Sequence, residues 1–405
     1  MNIKRHFLIF LSACSLLLSG AARAEFDPEA LKIHGFITQG FFYTDHNNVY
    51  GESSDQGSLD FRELAINTSY RFTPRLRGAV QLMSRRAGEV DDGTPQIDYA
   101  LLDYRFSDAV DNQFGVRFGR LKIPFGFYNE TRDVAFTRPT IMLPQSLYFD
   151  QARDLELSVD GGIFYSYVEV PGGRLDIDLL YGIPQKDRNV EYAYLGFDAT
   201  GSFDDSEGYM ARAIYNDDSG AYRIGATLAE YKLGYKPAGG PGFPLDFFEF
   251  DAGDMILNLA LLSAQYNAEK WSLTAEYMQH DIDWSEMGGL FTPRPESTIE
   301  SFYIQGQYRL SQEWDLVLRY DELLLDKNDP DGIANSAIFP KPAHAFYSKD
   351  WTFGVGWAPT QDWLIRAEYH RVEGTGWLPE QDNPGPAAAQ RKNWNIYALQ
   401  ATYRF

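Results

Sequence analysis

From Leu31 to Phe405 the chain repeats one unit: an alternating run of apolar and polar side chains, then a break. The breaks come in two sizes that take turns. "TP", "SDAVD", "PGG", "NDDSG", "NAE", "LSQ" and "APTQD" are short; between them lie long Gly-, Pro- and Asp-rich stretches such as "LDKNDPDGIANSAIFPKPAHAFYSKD". Period-two alternation marks strands with two unlike faces. A soluble sandwich has no reason to alternate short and long connections along its whole length. A barrel that crosses a bilayer does, because its turns face the periplasm and its loops face the exterior.

The expected strands are Leu31–Tyr43, Ser58–Phe72, Pro74–Arg86, Pro95–Phe106, Asn112–Ile123, Gly161–Val170, Arg174–Ile183 and Glu207–Tyr215. The second half adds Ala221–Leu233, Asp254–Tyr266, Lys270–His280, Ser297–Arg309, Gln312–Leu324, Trp351–Trp357, Trp363–Val372 and Asn393–Phe405. The fold class that follows is all-β: an antiparallel transmembrane β-barrel of about 16 strands, apolar or aromatic outside and polar or small inside. Past residue 24 no run of about 18 apolar residues offers a membrane helix.

The first 24 residues read as a secretory signal peptide: Lys4 and Arg5, an apolar run, then Ala22-Arg23-Ala24. Residues 25–405 then form one barrel domain. A second processing route remains open, because "LSAC" (Leu11–Cys14) resembles a lipoprotein box that would leave Cys14 lipidated. Cleavage after Ala24 removes the only cysteine, so disulfides play no part in the oxidising space beyond. It also removes Lys4, Arg5 and Arg23, so 33 basic residues face 57 acidic ones, a net charge of −24. Such a chain is a poor nucleic-acid binder.

Aromatic residues make up 15% of the chain, and they gather at strand ends. "SYRF" (Ser69–Phe72), "DYRF" (Asp103–Phe106), "QYRL" (Gln307–Leu310) and the terminal "TYRF" each stand at the end of an alternating run. Alternation places Tyr70 and Phe72 on one face and Arg71 on the other. A lower aromatic girdle with inward arginines follows, joined by Trp271, Trp314, Trp357 and Trp363. The last strand puts Tyr397, Leu399, Ala401, Tyr403 and Phe405 on one face. It resembles the carboxy-terminal insertion signal of Gram-negative outer-membrane barrels.

The longest connection follows the fifth strand: "PFGFYNETRDVAFTRPTIMLPQSLYFDQARDLELSVDG", with a constriction loop expected over about 124–153. Just before it stands "FGRLKIPFG" (Phe118–Gly126). This stretch resembles the G-x-x-K-x-P-F signature of the phosphate-selective porin O and P family. The resemblance implies a trimeric sixteen-stranded barrel whose third loop folds inward. That family's selectivity rests on rows of pore lysines and arginines. Here only Lys122 sits in the matching stretch and lysine is scarce in the strands, a departure that leaves phosphate selectivity open.

Charged residues on that reading fall into two sets. The expected constriction charges are Arg117, Arg120, Lys122, Glu130, Arg132, Asp133 and Arg138. The expected lumen lining is Arg77, Asp103, Arg212, Arg223, Arg309, Arg319 and Arg366, with further acids at Asp176, Asp178, Glu276, Asp321 and Glu368. For each of these a structural ion pair is the competing role. Loop acids such as Asp45, Glu52, Asp204, Asp205, Glu207, Asp281, Asp283, Asp326, Asp329 and Asp331 would make an acidic mouth, bind cations that bridge lipopolysaccharide, or only keep the loops solvated. "DKNDPDG" lacks the terminal Glu of a calcium loop, and no metal or cofactor site is expected. Scattered histidines and missing H-E-x-x-H and G-x-S-x-G motifs argue against an enzyme. The functional expectation is an outer-membrane porin, a homotrimer among lipopolysaccharide, passing small hydrophilic solutes or ions. The open alternatives are a selective channel with a site for an anion such as phosphate or an organic acid, and, more remotely, a barrel hydrolase.

Overall fold

The computed structural model describes residues 27–107, 112–197, 199, 201–237 and 250–405. The signal peptide, Cys14 and the cleavage point at Ala24 lie outside the described residues, as do the side chains of Asp204 and Asp205. Sixteen long antiparallel strands close into one barrel. They are β1 (Leu31–Thr44), β2 (Ser58–Arg71), β3 (Leu76–Ala87), β4 (Gln96–Arg105), β5 (Asn112–Lys122), β6 (Ser158–Val170), β7 (Gly173–Pro184) and β8 (Ser202–Asp217). The second half comprises β9 (Tyr222–Lys236), β10 (Gly253–Asn267), β11 (Trp271–Asp283), β12 (Glu296–Arg309), β13 (Trp314–Leu324), β14 (Tyr347–Trp357), β15 (Trp363–Gly374) and β16 (Asn393–Arg404). A two-residue strand, Asp91–Asp92, pairs with the end of β3. Among the described residues no helix is long and apolar enough to cross a membrane.

Closure comes from the two chain ends. β1 pairs with β16 from Phe36 opposite Arg404 to Thr44 opposite Ile396. Phe405 and Gly35 exchange backbone hydrogen bonds of 3.0 Å. The Phe405 ring lies so close over Gly35 that a Cβ there would sit 2.5 Å from it. A closed sheet has no unpaired edge, which is the condition for strands to cross hydrocarbon.

The outer wall is apolar, with Ile37, Ile66, Leu82, Leu102, Leu179, Leu228, Leu262, Leu318 and Leu399 exposed on it. Aromatic pairs mark its lower rim: Tyr70–Phe72, Tyr104–Phe106, Tyr266–Trp271, Trp314–Trp357 and Trp363–Tyr403, with centroids 5.0–5.6 Å apart. The repeated Y-R-F ends therefore do what alternation predicts on their outer side. On the inner side Arg404 lies over Phe136 of the third loop at 4.0 Å, while Arg105 and Arg309 bond the turn carbonyls of Pro74 and Ala268.

Three expectations need correction. Asp281 and Asp283 belong to β11, and the backbone of residues 204, 205 and 207 belongs to β8, because both strands run further than alternation alone marks. Asp326 and Asp329 are buried: Asp326 pairs with Arg294 at 3.0 Å, and Asp329 accepts the backbone N–H groups of Ala334 and Asn335. The third correction concerns faces. On β9 and β10 the inward positions Ala229, Tyr231, Leu233, Met255, Leu257, Leu259 and Leu261 are apolar and buried, while Glu230 and Lys232 point out. Loop helix α2 (Arg188–Leu195) and the third loop fill this part of the lumen, so its wall packs like a core rather than a water-filled channel.

Candidate functional site: the third loop and the chamber beside it

The connection 123–157 turns into the barrel instead of away from it. Its direction is set where β5 ends. Gly126, at φ +55, sits so close to the wall that a Cβ would lie 2.5 Å from the Tyr148 hydroxyl and 2.8 Å from a Glu276 oxygen. Phe125 is buried, and Lys122 is bonded to Asp98 and, at 2.9 Å, to Asp133. The "KIPFG" part of the signature is thus the hinge of the loop.

Wall residues then clamp the loop across the lumen. Glu276 on β11 accepts the Phe127 N–H at 3.1 Å and the Tyr148 hydroxyl at 2.5 Å. Arg212 on β8 bridges Glu130 of the loop and Asp178 of β7, both at 2.7 Å. On the far side Arg319 of β13 donates to Thr140 Oγ1 and the Met142 carbonyl, at 3.1 and 2.9 Å. Glu368 of β15 accepts the N–H groups of Ile141 and Met142, at 2.5 and 3.3 Å, and Arg366 donates to the Pro139 carbonyl. Backbone that would otherwise meet water is satisfied by charged side chains, which make the stronger hydrogen bonds.

The end of the loop is held by a balanced web of buried ions. Arg85, Arg132, Arg138, Arg153 and Lys122 face Glu63, Asp91, Asp98, Asp133 and Asp150. Asp150 is the hub, at 3.0 Å from both Arg85 and Arg132 and bonded by the Tyr50 hydroxyl. Burial pushes the Asp150 carboxyl up, but Arg85 and Arg132 outweigh it and hold the group below the usual carboxylate range. Burial and the neighbouring guanidiniums of Arg85 and Arg132 bring Arg153 down to about 9. Glu156, buried in the short helix α1 (Arg153–Leu157), is pushed up to about 8 by burial, which Arg132 only partly offsets.

Beside the loop lies a chamber of about 400 Å³. Its lining includes Arg117, Arg174, Arg212 and Arg223 with Glu130, Glu169, Asp176 and Asp178. Arg117 lies 4.5 Å over the Tyr165 ring and donates to the Tyr167 hydroxyl. Arg223 lies 4.2 Å over Phe127 of the loop and has no ion pair among the described residues. Register extends the basic surface: Arg71 stands opposite Arg77, Arg77 opposite Asp103, and Asp103 opposite Arg117.

The residues singled out from sequence therefore separate. Arg77, Asp103, Arg117, Arg212, Arg223, Arg309, Arg319 and Arg366 all stand on inward positions, with Arg319 and Arg366 buried against the loop. Lys122, Arg132, Asp133 and Arg138 are enclosed within the ion web, and Glu130 joins the wall through Arg212. Arg120 is a correction. It shares the outward face with Phe118 and pairs with Asp160 on that face, at 2.9 Å. Sequence reasoning missed Glu63, Arg85, Asp98, Asp150 and Arg153, whose partners are distant in the chain. A signal was present in Arg85 and Glu63, charged residues at inward positions of alternating strands. Among the described residues no group of three or more His, Cys, Asp or Glu side chains could hold a metal ion.

The closed sixteen-stranded cylinder has counterparts among solved structures. The chain has a porin fold. It superposes on an anion-selective porin of Comamonas acidovorans with a TM-score of 0.58 at 11% identity, covering 93% of this chain and 99% of that one. OmpT, expressed in the outer membrane of Vibrio cholerae, matches with a TM-score of 0.57 at 11% identity, over 94% and 99%. The outer-membrane channel DcaP of Acinetobacter baumannii matches with 0.56 at 12% identity, over 94% and 100%. No protein-family model and no curated protein matches the sequence. At such identities the porin fold is what these likenesses establish, and the finer tie to the phosphate-selective family stays a resemblance of residues 118–126.

Proposed function

We propose that this protein is an outer-membrane porin, a passive channel for small hydrophilic solutes or ions. The observation that carries the reading is the third loop clamped across the lumen beside a charged chamber of about 400 Å³. A charged, water-lined narrowing selects by size and charge without any chemical step. The charges that meet a solute are Arg77, Asp103, Arg117 and Arg223 with Glu130 at the loop edge; Lys122, Arg132, Asp133 and Arg138 keep the loop in place. The assembly is a homotrimer in a lipopolysaccharide-containing outer membrane, reached by cleavage of residues 1–24, and no catalysis is assigned to it. Planar-bilayer recording of the mature chain tests this: stepwise conductance, in threes for a trimer, is expected, and absence of steps sinks the channel reading.

Arg223, a chamber arginine without an ion pair among the described residues, favours one refinement, a preference for anions with weak binding of a carboxylate or phosphate group in the chamber. Conductance that saturates with an organic acid or with inorganic phosphate, but not with chloride, would support it. Linear conductance with all three would leave a general pore.

A further inference from the structure

The two ends of the passage expose different charges, acids above and unpaired arginines below, although the chain as a whole is strongly acidic. Around the outer mouth Asp45, Glu52, Asp55, Glu89, Asp92 and Glu286 are exposed on three outer connections. Below the third loop the chamber is balanced, four arginines against four acids, and the wall beyond it adds Arg71, Arg77 and Arg404 against Asp103. Arg71 and Arg77 are exposed and directly opposite each other, with no ion pair among the described residues. Arg223 and Arg404 extend that surface, each beside an aromatic ring, and Arg117 adds to it while pairing with Asp103 at 3.7 Å. Like charges directly opposite on one face are unfavourable, so this arrangement is not one that packing alone selects.

Resting on the channel reading above, we propose that the pore rectifies: its acidic outer mouth and basic inner vestibule pass current more readily in one direction. The acidic zone concentrates cations and the basic zone concentrates anions. When the outer side is positive, cations arrive through the zone that favours them and anions arrive through theirs. Both accumulate where the zones meet, at the third loop, and conductance rises. With the outer side negative, each ion leaves that junction faster than the opposite zone supplies it, and conductance falls. Wall charge acts over the Debye length, about 10 Å at 0.1 M salt and about 3 Å at 1 M, so the asymmetry belongs to dilute salt.

The test is single-channel recording of the mature protein at about 0.1 M and about 1 M potassium chloride, the two screening regimes. Orientation is marked by Gln56→Cys in the first outer loop and an impermeant bulky thiol reagent added to one side. The expected current ratio between equal voltages of opposite sign is roughly two-fold or more at the lower salt, larger with the outer side positive, and falls towards one at the higher salt. The double variant Arg71→Glu, Arg77→Glu should bring the low-salt ratio towards one, and stepwise conductance at about 1 M salt, where wall charge is screened, shows that it has folded. The loop variant Glu52→Lys, Asp55→Lys should do the same from the other end. Clear steps with equal currents in both directions at low salt would overturn the inference and leave the channel reading intact. A larger current with the outer side negative, or a ratio unmoved by both double variants, would overturn it as well. No steps at all would remove the channel reading itself.

Discussion

Two clusters of arginine sit within one lumen and serve opposite ends. In the ion web at the end of the third loop, Arg85, Arg132 and Arg153 are buried and matched by acids. In the vestibule, Arg71 and Arg77 are exposed and unmatched, and Arg223 meets only a ring. The side chain is the same; burial and partners differ. A buried charge without a partner is so unfavourable that the web must be balanced, and once balanced it fixes geometry. A hydrated charge has no such requirement, so it stays free to act on whatever passes. Structure and selectivity are thus divided by depth within the wall.

The sharpest way to break this contrast is Asp150→Ala. It strands Arg85 and Arg132 in a buried site, with an expected loss of about 3–5 kcal/mol. Thermal unfolding in detergent should shift down strongly, and single channels should become larger or noisier as the loop detaches. A melting curve like the parent's would show that the web does not hold the loop. Glu368→Gln is milder, because it keeps size and weakens only the charge-assisted bonds to Ile141 and Met142. An expected loss of about 1–3 kcal/mol would appear with faster amide exchange at those two residues.

Glu156 gives a pH test of the same web. Its carboxyl is raised from 4.5 to about 8, so across that window the folded state holds a proton that the unfolded state releases. Stability should therefore fall as pH rises from 4.5 towards 8, and level off above. Melting temperatures across the window check this, and Glu156→Gln should flatten that part of the profile. The smallest effect on stability belongs to Arg77→Ala, expected within about 0.5 kcal/mol of the parent. Its reversal potential in a salt gradient should nevertheless move towards cations. An unchanged potential would deny the vestibule its role.

Much of this was written in local pattern. The outward faces of β16 and β1, the girdle at Tyr70, Tyr104 and Trp314, and the long third connection all follow from alternation, and alternation needs only neighbours in the chain. The ion web did not show, because Tyr50, Arg85 and Asp150 meet across about a hundred residues, 100 between Tyr50 and Asp150. Alternation by itself puts Arg120 on the face of Phe118, where the structure has it, and its expected place at the constriction came only from standing beside the third loop in sequence. The apolar inward face of β9 and β10 was unreadable, since its meaning depends on loops folding over it.

Residue order alone established a membrane-crossing cylinder with a short-turn side and a long-loop side, because the bilayer imposes strand length, face polarity and connection length one segment at a time. Closure of the ring is what decided which charges are locked together and which are left in water. That outcome depends on side chains from opposite walls arriving at one place, and no stretch of neighbouring residues contains it.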